Sequence, residues 1–179
     1  MKPAADAMQK EIPHLTLVLG GARSGKSRHA EALIEALPAP WTYIATAQAY
    51  DDEMRDRIAE HRARRLAGWQ TVDAPLDLAE AIAAQPAGRP ILVDCLTLWL
   101  TNLILAERDT AAAREALIAA CERASAPLVL VGNEVGLGIV PENALARRFR
   151  DEAGRLHQAL AARAASVVFM VAGLPMRVK

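Results

Sequence analysis

The feature that most constrains the fold is a glycine-rich segment between an apolar run and a helical pattern. The run His14–Gly20 leads into Gly20-x-x-x-x-Gly25-Lys26-Ser27, and an amphipathic helical spacing follows at once. Glycines at these positions let the backbone turn tightly, so that its N–H groups can surround phosphate oxygens. A turn that merely resembles the pattern is the alternative, but the flanking strand and helix favour a phosphate-binding loop.

Each residue type in this loop has a chemical reason to be there. Lys26 would supply a mobile cation for the β- and γ-phosphates, and the Ser27 hydroxyl could coordinate Mg²⁺. The helix that begins near Lys26 adds the positive end of its dipole. We therefore expect nucleotide contacts from the whole segment: Gly20, Gly21, Ala22, Arg23, Ser24, Gly25, Lys26 and Ser27.

Short apolar runs alternate with longer helical patterns along the rest of the chain, as in β-α-β units around a parallel sheet. The predicted strands are His14–Gly20, Thr42–Thr46, Pro90–Asp94, Pro127–Gly132 and Ser166–Ala172, with a short one at Gln70–Val72. The predicted helices are Lys26–Leu37, Asp52–Arg65, Leu76–Ala84, Leu98–Glu107, Thr110–Ala124 and Asn143–Ala164, the last open to a kink at Gly154. We expect an α/β fold of the P-loop NTPase type, with a doubly wound, mostly parallel (RecA-like) sheet whose final strand could be an antiparallel edge strand.

Composition and charge narrow the class of protein. The 179 residues, 53% of them hydrophobic, suit a single catalytic P-loop domain over residues 14–179, preceded by a flexible N-terminal extension, 1–13. Lys plus Arg and Asp plus Glu balance at 21 each, which gives no electrostatic reason to expect nucleic acid as a partner. We see no signal peptide, membrane span or CxxC pair, so a cytoplasmic location is expected.

A carboxylate that could help to hold a metal ion follows another apolar run. Asp94 comes directly after Ile91-Leu92-Val93, which places it at the end of a predicted strand. Its alternative role is to cap the helix predicted from Leu98. Because a phosphate-binding loop needs such an acid nearby, Ser27 and Asp94 are the predicted Mg²⁺ ligands.

The segment 51–65 begins with acids and ends with arginines, an order that suits a helix dipole and could mean nothing more. His61 shares a helical face with Met54 and Ile58, so its spacing alone favours a packed histidine over a catalytic one. Taken alone, the arginines favour a solvated face. Composition and periodicity leave the role of this segment open.

Several strings together resemble the bifunctional adenosylcobinamide kinase/adenosylcobinamide-phosphate guanylyltransferases of cobalamin biosynthesis. They are GGARSGKSRHAE, YIATAQAYDDEM, RIAEHRARR, LVDCLTLWLTNL, GNEVGLGIVPEN and RLHQALAARA, in the family's order from about Leu15 to the C-terminus. A phosphate-binding loop alone is shared by very many enzymes. The combination of GNEVG-x-G-IVPEN with RI-x-x-H-x-x-R-R is far more specific.

The resemblance implies two reactions. ATP or GTP phosphorylates the aminopropanol hydroxyl of adenosylcobinamide, and GTP then donates GMP to adenosylcobinamide phosphate, which gives adenosylcobinamide-GDP and pyrophosphate. It also implies that His61 is the nucleophile of a covalent guanylyl-histidine and that Lys26 is catalytic. The chemistry is reasonable, because a neutral imidazole with a pKa of about 6.5 is a good nucleophile near neutral pH.

Further expectations depend on the same resemblance. It implies a homo-oligomer such as a trimer, and nucleotide contacts from Thr46, Ala47, Gln48, Arg62, Ala63, Arg64, Arg65, Asp73 and Asp94. Independently of the resemblance, the loop Asn133–Pro141 is predicted to be functional or interfacial, because it mixes glycines with apolar residues where a strand leads into a helix. The helix Leu98–Glu107 could face another subunit or belong to the ordinary core.

Two other classes of function stay open. A single-activity P-loop kinase or NTPase would keep the phosphate-binding loop, but nothing would require His61 near a triphosphate. A non-catalytic GTP-binding assembly module would bind nucleotide tightly without transferring a phosphoryl or guanylyl group.

Overall fold

A computed structural model describes residues 12–48 and 65–179 of the chain. In these ranges the elements, in chain order, are β1 (Leu15–Gly20), α1 (Lys26–Glu35), β2 (Trp41–Ala45), β3 (Trp69–Asp73), α2 (Leu78–Ala83), β4 (Ile91–Asp94), α3 (Leu96–Leu105), α4 (Thr110–Arg123), β5 (Leu128–Asn133), α5 (Ala144–Arg163), β6 (Ser166–Val171) and β7 (Leu174–Arg177). Within the described ranges, none of the helices is long and apolar enough to cross a membrane.

The strands form one sheet in the order β3-β2-β4-β5-β1-β6-β7. All neighbouring pairs are parallel except β6 and β7. Because parallel strands end at the same edge, the register places the carboxyl ends of β1, β4 and β5 side by side. Gly20 pairs with Asn133, and Asp94 pairs with Val131. Ligands of open α/β sheets bind at this edge.

Helices cover both faces of the sheet, which explains why the central strands are continuously apolar. On one face, Ala30 and Ile34 of α1 pack with Val18 and Val131. On the other, α2 to α5 pack against strand residues such as Leu17. The side chains of successive strand residues therefore pack into the cores on opposite faces of the sheet. The expected doubly wound, mostly parallel α/β fold is confirmed.

The antiparallel edge strand of the sheet is not the strand that the sequence suggested. The strand Ser166–Val171 is parallel to β1 and lies inside the sheet, so it is not the antiparallel edge strand. That place belongs to Leu174–Arg177, which the sequence interpretation missed. This strand is short, contains Pro175 and is exposed along its length, so it lacks the periodicity of a half-buried strand.

Smaller differences concern the helices. α3 begins at Leu96, two residues before the predicted start, and α5 runs without a break through Gly154. Trp99 and Leu103 are buried in the main core, so their side of α3 is ordinary core. The predicted helix Asp52–Arg65 lies, apart from Arg65, outside the described residues.

Candidate functional site

The loop between β1 and α1 has the tight geometry that its glycines predicted. A Cβ added to Gly20 would lie 2.7 Å from both the Met170 carbonyl oxygen and the Ser24 Oγ, so no side chain fits there. Gly25, which precedes α1, has a φ of 94°, and Arg23 is also in the left-handed region, at 54°. The loop therefore wraps closely around the start of α1, while Gly21, Ala22 and Arg23 are exposed.

Lys26 lies across the base of this loop. Its Nζ donates a hydrogen bond to the Gly21 carbonyl oxygen over 2.6 Å, and only 8% of the residue is exposed. Burial lowers the pKa of Lys26, while the neighbouring Cys95 and Asp94 act in the opposite direction. An ammonium group has three donors, so a lysine held in this way can also reach phosphate oxygens.

Ser24 and Ser27, both predicted to contact phosphate or Mg²⁺, differ in burial. The Ser24 Oγ is buried and has no hydrogen-bond partner within the described part of the chain. The Ser24 carbonyl oxygen accepts a hydrogen bond from the Gly173 N–H over 3.0 Å. Ser27 lies in the first turn of α1 and is half-exposed. An unpaired buried hydroxyl is costly, and a bound phosphate oxygen would satisfy it.

Asp94 ends β4 at the same edge and is held by a tyrosine. The Tyr43 hydroxyl donates a hydrogen bond to its Oδ2 over 3.0 Å. The Arg65 guanidinium carbon lies 3.2 Å from the centroid of the Tyr43 ring, a cation–π contact, and Trp69 meets the ring edge-on. A chain of contacts thus leads from Arg65 through Tyr43 to Asp94.

The donors at this edge fit Mg²⁺ chemically. Ser27 and Asp94 offer a hydroxyl and a carboxylate, which are the oxygen ligands that Mg²⁺ prefers. Within residues 12–48 and 65–179, no group of three or more His, Cys, Asp or Glu side chains could hold a metal ion. A set of few protein ligands is typical of a Mg²⁺ ion that is bound largely by phosphates and water.

Thr46 has a structural role that sequence reasoning did not foresee. Its buried hydroxyl donates to the Cys95 carbonyl oxygen over 2.7 Å and accepts from the Cys95 N–H over 2.9 Å. Asn102 in turn donates to the Thr46 carbonyl oxygen. The Thr46 hydroxyl therefore joins the ends of β2 and β4. Ala47 and Gln48 follow it and are half-exposed.

The remaining predicted contacts divide between described and undescribed residues. Asp73 ends β3 and is exposed, two strands from Asp94 in the sheet. Its nucleotide contact stays a prediction. His61, Arg62, Ala63 and Arg64 lie outside the described residues, and only Arg65 of that group is placed, against Tyr43.

Three features beside the loop were missed. Tyr43 carries a hydroxyl near the end of a predicted buried strand, and this could have marked it as a residue of the site. Gly173 follows an apolar run, and a glycine there is a weak local signal for a turn. The side-chain amide of Asn133 donates to the Thr97 hydroxyl over 3.1 Å, a long-range contact for which a single sequence gives no signal.

Comparisons with known proteins show which family this chain resembles. The family model described as "Cobinamide kinase / cobinamide phosphate guanyltransferase" matches residues 16–178. A protein of Pseudomonas aeruginosa named bifunctional adenosylcobalamin biosynthesis protein CobP is 55% identical over 166 residues, which is 91% of this chain and 96% of that protein. The Salmonella typhimurium protein named bifunctional adenosylcobalamin biosynthesis protein CobU is 49% identical, over 92% and 99% of the two chains.

Solved structures support the fold alone. An ATPase from the type III secretion system of pathogenic bacteria superposes with a TM-score of 0.54 at 12% identity. The match covers 91% of this chain and 56% of that one. Such low identity carries no information on substrate or activity and shows only the fold, an α/β sheet of the P-loop NTPase type.

Proposed function

The chain belongs to the cobinamide kinase / cobinamide phosphate guanyltransferase family, and from this membership we propose that it carries out two consecutive reactions on one corrinoid. ATP or GTP phosphorylates the hydroxyl of adenosylcobinamide, and GTP then donates GMP to adenosylcobinamide phosphate. The products of the second step are adenosylcobinamide-GDP and pyrophosphate. The observation that carries the proposal is the phosphate-binding loop, folded around the buried Lys26 in a chain that matches the family over residues 16–178.

In the phosphorylation, the loop holds the donor triphosphate. Backbone N–H groups of residues 20–27 surround the phosphates, and Lys26 moves its ammonium group from the Gly21 carbonyl to a phosphate oxygen. The unpaired Ser24 hydroxyl is positioned to join them. Ser27 and Asp94 would hold Mg²⁺, which when bound offsets the negative charge of the phosphates.

In the guanylyl transfer, His61 acts as the nucleophile. Its imidazole nitrogen attacks the α-phosphorus of GTP, forming an N–P bond as the bond to pyrophosphate breaks. A phosphate oxygen of adenosylcobinamide phosphate then attacks the same phosphorus, and the N–P bond breaks to free His61. Arg62, Arg64 and Arg65 would offset charge on the triphosphate and on the departing pyrophosphate.

The position of Arg65 supports this assignment. Arg65 contacts Tyr43, and Tyr43 donates its hydrogen bond to Asp94, so the arginine segment ends beside the proposed metal ligand. His61 precedes Arg65 by four residues. Chain length alone keeps their Cα atoms within about 15 Å of each other. Of the segment that contains the proposed nucleophile, Arg65 is the described end, and it is linked to Asp94 through Tyr43.

Several further expectations are part of the same proposal. They are nucleotide contacts from Thr46, Ala47, Gln48, Ala63 and Asp73, a homo-oligomer such as a trimer, and a cytoplasmic location. The division into an extension, 1–13, and one catalytic domain, 14–179, belongs here too. The polar groups of Thr46 already have protein partners, because its hydroxyl is engaged with Cys95, its N–H donates to the Asp94 carbonyl oxygen and its C=O accepts from Asn102. A nucleotide contact from Thr46 therefore depends on the family resemblance alone.

The proposal is tested by following the corrinoid products by mass spectrometry. With Mg²⁺ and ATP, adenosylcobinamide should become its phosphate, and addition of GTP should convert the phosphate to adenosylcobinamide-GDP. Lys26→Ala should abolish the first conversion. When adenosylcobinamide phosphate is supplied directly, His61→Asn should give no GDP product. A protein that makes the phosphate and never the GDP product would be a single-activity kinase, and GTP binding without either product would indicate an assembly module.

A further inference from the structure

The turn that joins β6 to β7 lies against the phosphate-binding loop, although it is far from it in sequence. Val171 pairs with Leu174 across the hairpin, so Ala172 and Gly173 form a two-residue turn. Both have positive φ, 50° and 82°, as a type I′ turn requires. Ala172 is a poor residue for that conformation, so local preference alone does not explain the turn.

Contacts join this hairpin to both ends of the loop. The Gly173 N–H donates a hydrogen bond to the Ser24 carbonyl oxygen over 3.0 Å. A Cβ on Gly25 would lie 3.4 Å from the Gly173 Cα, and a Cβ on Gly20 would lie 2.7 Å from the Met170 carbonyl oxygen. The hairpin therefore forms one wall of the loop, and the two glycines allow that close approach.

The hydrogen bond from Gly173 to the Ser24 carbonyl also determines the direction of the Gly25 N–H. The peptide bond between Ser24 and Gly25 is trans, and a trans peptide is planar, with its C=O and N–H pointing in opposite directions. Because the Ser24 carbonyl points at Gly173, the Gly25 N–H must point away from the hairpin. The Gly25 N–H is thus left free of the hairpin, and in this motif the backbone N–H groups of the loop bind phosphate.

We propose that the β6–β7 turn is a positioning element for the bound nucleotide: Gly173 holds the Ser24 carbonyl and so directs the Gly25 N–H at a phosphate group. This inference rests on the proposed nucleotide site and deepens it. Gly173 itself touches no nucleotide. Its effect is on the affinity for ATP and GTP at the loop, so both reactions depend on it.

A matched pair of substitutions tests the proposal. Gly173→Ala strains a residue with a φ of 82°, and Gly88→Ala strains one with a φ of 77°; an added Cβ has no neighbour within 4 Å at either place. The backbone cost is therefore alike, but Gly88 follows α2 and hydrogen-bonds to Ser125, away from the loop. Dissociation constants for GTP and ATP, with Mg²⁺, would be measured on the full chain beside the unfolding midpoint.

We expect Gly173→Ala to weaken nucleotide binding about tenfold, ~1.4 kcal/mol, and Gly88→Ala to leave it within about twofold. Gly173→Asn should recover most of the affinity, because Asn tolerates the left-handed conformation better than Ala does. Equal losses in the two Ala variants, or no loss at Gly173, would overturn the proposal.

A measurement on the unaltered protein covers the case in which Gly173→Ala fails to fold. The Gly173 amide should exchange its hydrogen slowly with and without GTP, while the Gly25 amide should become protected only when GTP is added. A rapidly exchanging Gly173 amide, or a Gly25 amide indifferent to GTP, would contradict the inference. Failure of the proposed function looks different: the wild-type chain would then bind GTP without forming the corrinoid products, and the effect of Gly173→Ala on affinity could still be measured.

Discussion

The hydroxyl of Tyr43 donates a hydrogen bond to Oδ2 of Asp94 over 3.0 Å, from one strand of the sheet to its neighbour. Burial raises the pKa of Tyr43, so the hydroxyl stays protonated and acts as a donor at neutral pH. The bond uses one carboxylate oxygen of Asp94 and fixes the direction of the other. Such partners of a metal ligand orient it and tune its affinity.

Tyr43→Phe should therefore weaken the use of Mg²⁺. We expect the Mg²⁺ concentration for half-maximal kinase activity to rise about tenfold, and the free energy of unfolding to fall by about 1 kcal/mol for the lost hydrogen bond. Phe keeps the ring beneath Arg65, so the cation–π contact remains as an internal control. A titration with unchanged Mg²⁺ dependence would show that Asp94 needs no help from Tyr43.

Thr46 offers a test of how β2 and β4 are joined. Thr46→Val keeps the shape of the side chain but leaves the N–H and C=O of Cys95 without their hydroxyl partner, 2.9 and 2.7 Å away. We expect a loss of about 2–4 kcal/mol in the free energy of unfolding, measured in urea. Thr46→Ser keeps the hydroxyl and loses only a methyl group, about 1 kcal/mol. If Val were tolerated better than Ser, packing and not hydrogen bonding would dominate at this position.

His157 should make stability depend on pH. It is 6% exposed on α5, and its Nε2 has no hydrogen-bond partner among the described residues. Burial lowers the pKa of His157, with Glu134 acting in the opposite direction. The unfolded chain therefore binds a proton first, and stability falls as the pH drops below about 6.5, by at most about 1.4 kcal/mol per pH unit.

The variant His157→Leu isolates this contribution. Its free energy of unfolding should fall less steeply than that of the wild type between pH 7.5 and pH 5, in urea titrations. Burial also lowers the pKa of His29, which adds a slope of the same sign to both proteins and cancels in the comparison. Parallel pH profiles for the two proteins would mean that His157 does not titrate differently on folding.

The two cysteines should be inert in the folded protein. Cys121 and Cys95 are 1% and 5% exposed, and burial raises the pKa of Cys121 to about 12. We expect neither thiol to react with a disulfide reagent at pH 8 until the chain is unfolded in guanidinium chloride, when both react. Cys121→Ala should then give one equivalent of reaction where the wild type gives two. Rapid reaction of a thiol in the native protein would contradict the burial.

How much could be predicted from the sequence differs between local and long-range features. The phosphate-binding loop could be predicted because its function depends on consecutive residues: a strand, spaced glycines, Lys26 and Ser27. Asp94 could be placed at a strand end because its apolar run is continuous. These patterns follow from buried parallel strands and from the backbone freedom of glycine.

The partners of these residues could not be predicted in the same way. Tyr43 lies 51 residues from Asp94 along the chain, and Gly173 still further from Ser24. Only the order of the strands brings them together, and a single sequence does not reveal strand order. The strand β7 was missed for a different reason, because its exposed residues leave no alternating pattern. For His61 the motif carries the prediction, since the described residues end on either side of it.

The central claim, guanylyl transfer through His61, is tested most directly with GTP labelled at its α-phosphorus. The wild-type chain, His61→Asn and the control His14→Asn, which changes an exposed histidine before β1, would each be incubated with Mg²⁺ and the label, without corrinoid. We predict that the wild type and His14→Asn take up label in an acid-labile, base-stable form, as a phosphoramidate should be, and that adenosylcobinamide phosphate removes it, whereas His61→Asn stays unlabelled. Label on His61→Asn, or none on the wild type although GTP binds, would contradict the account.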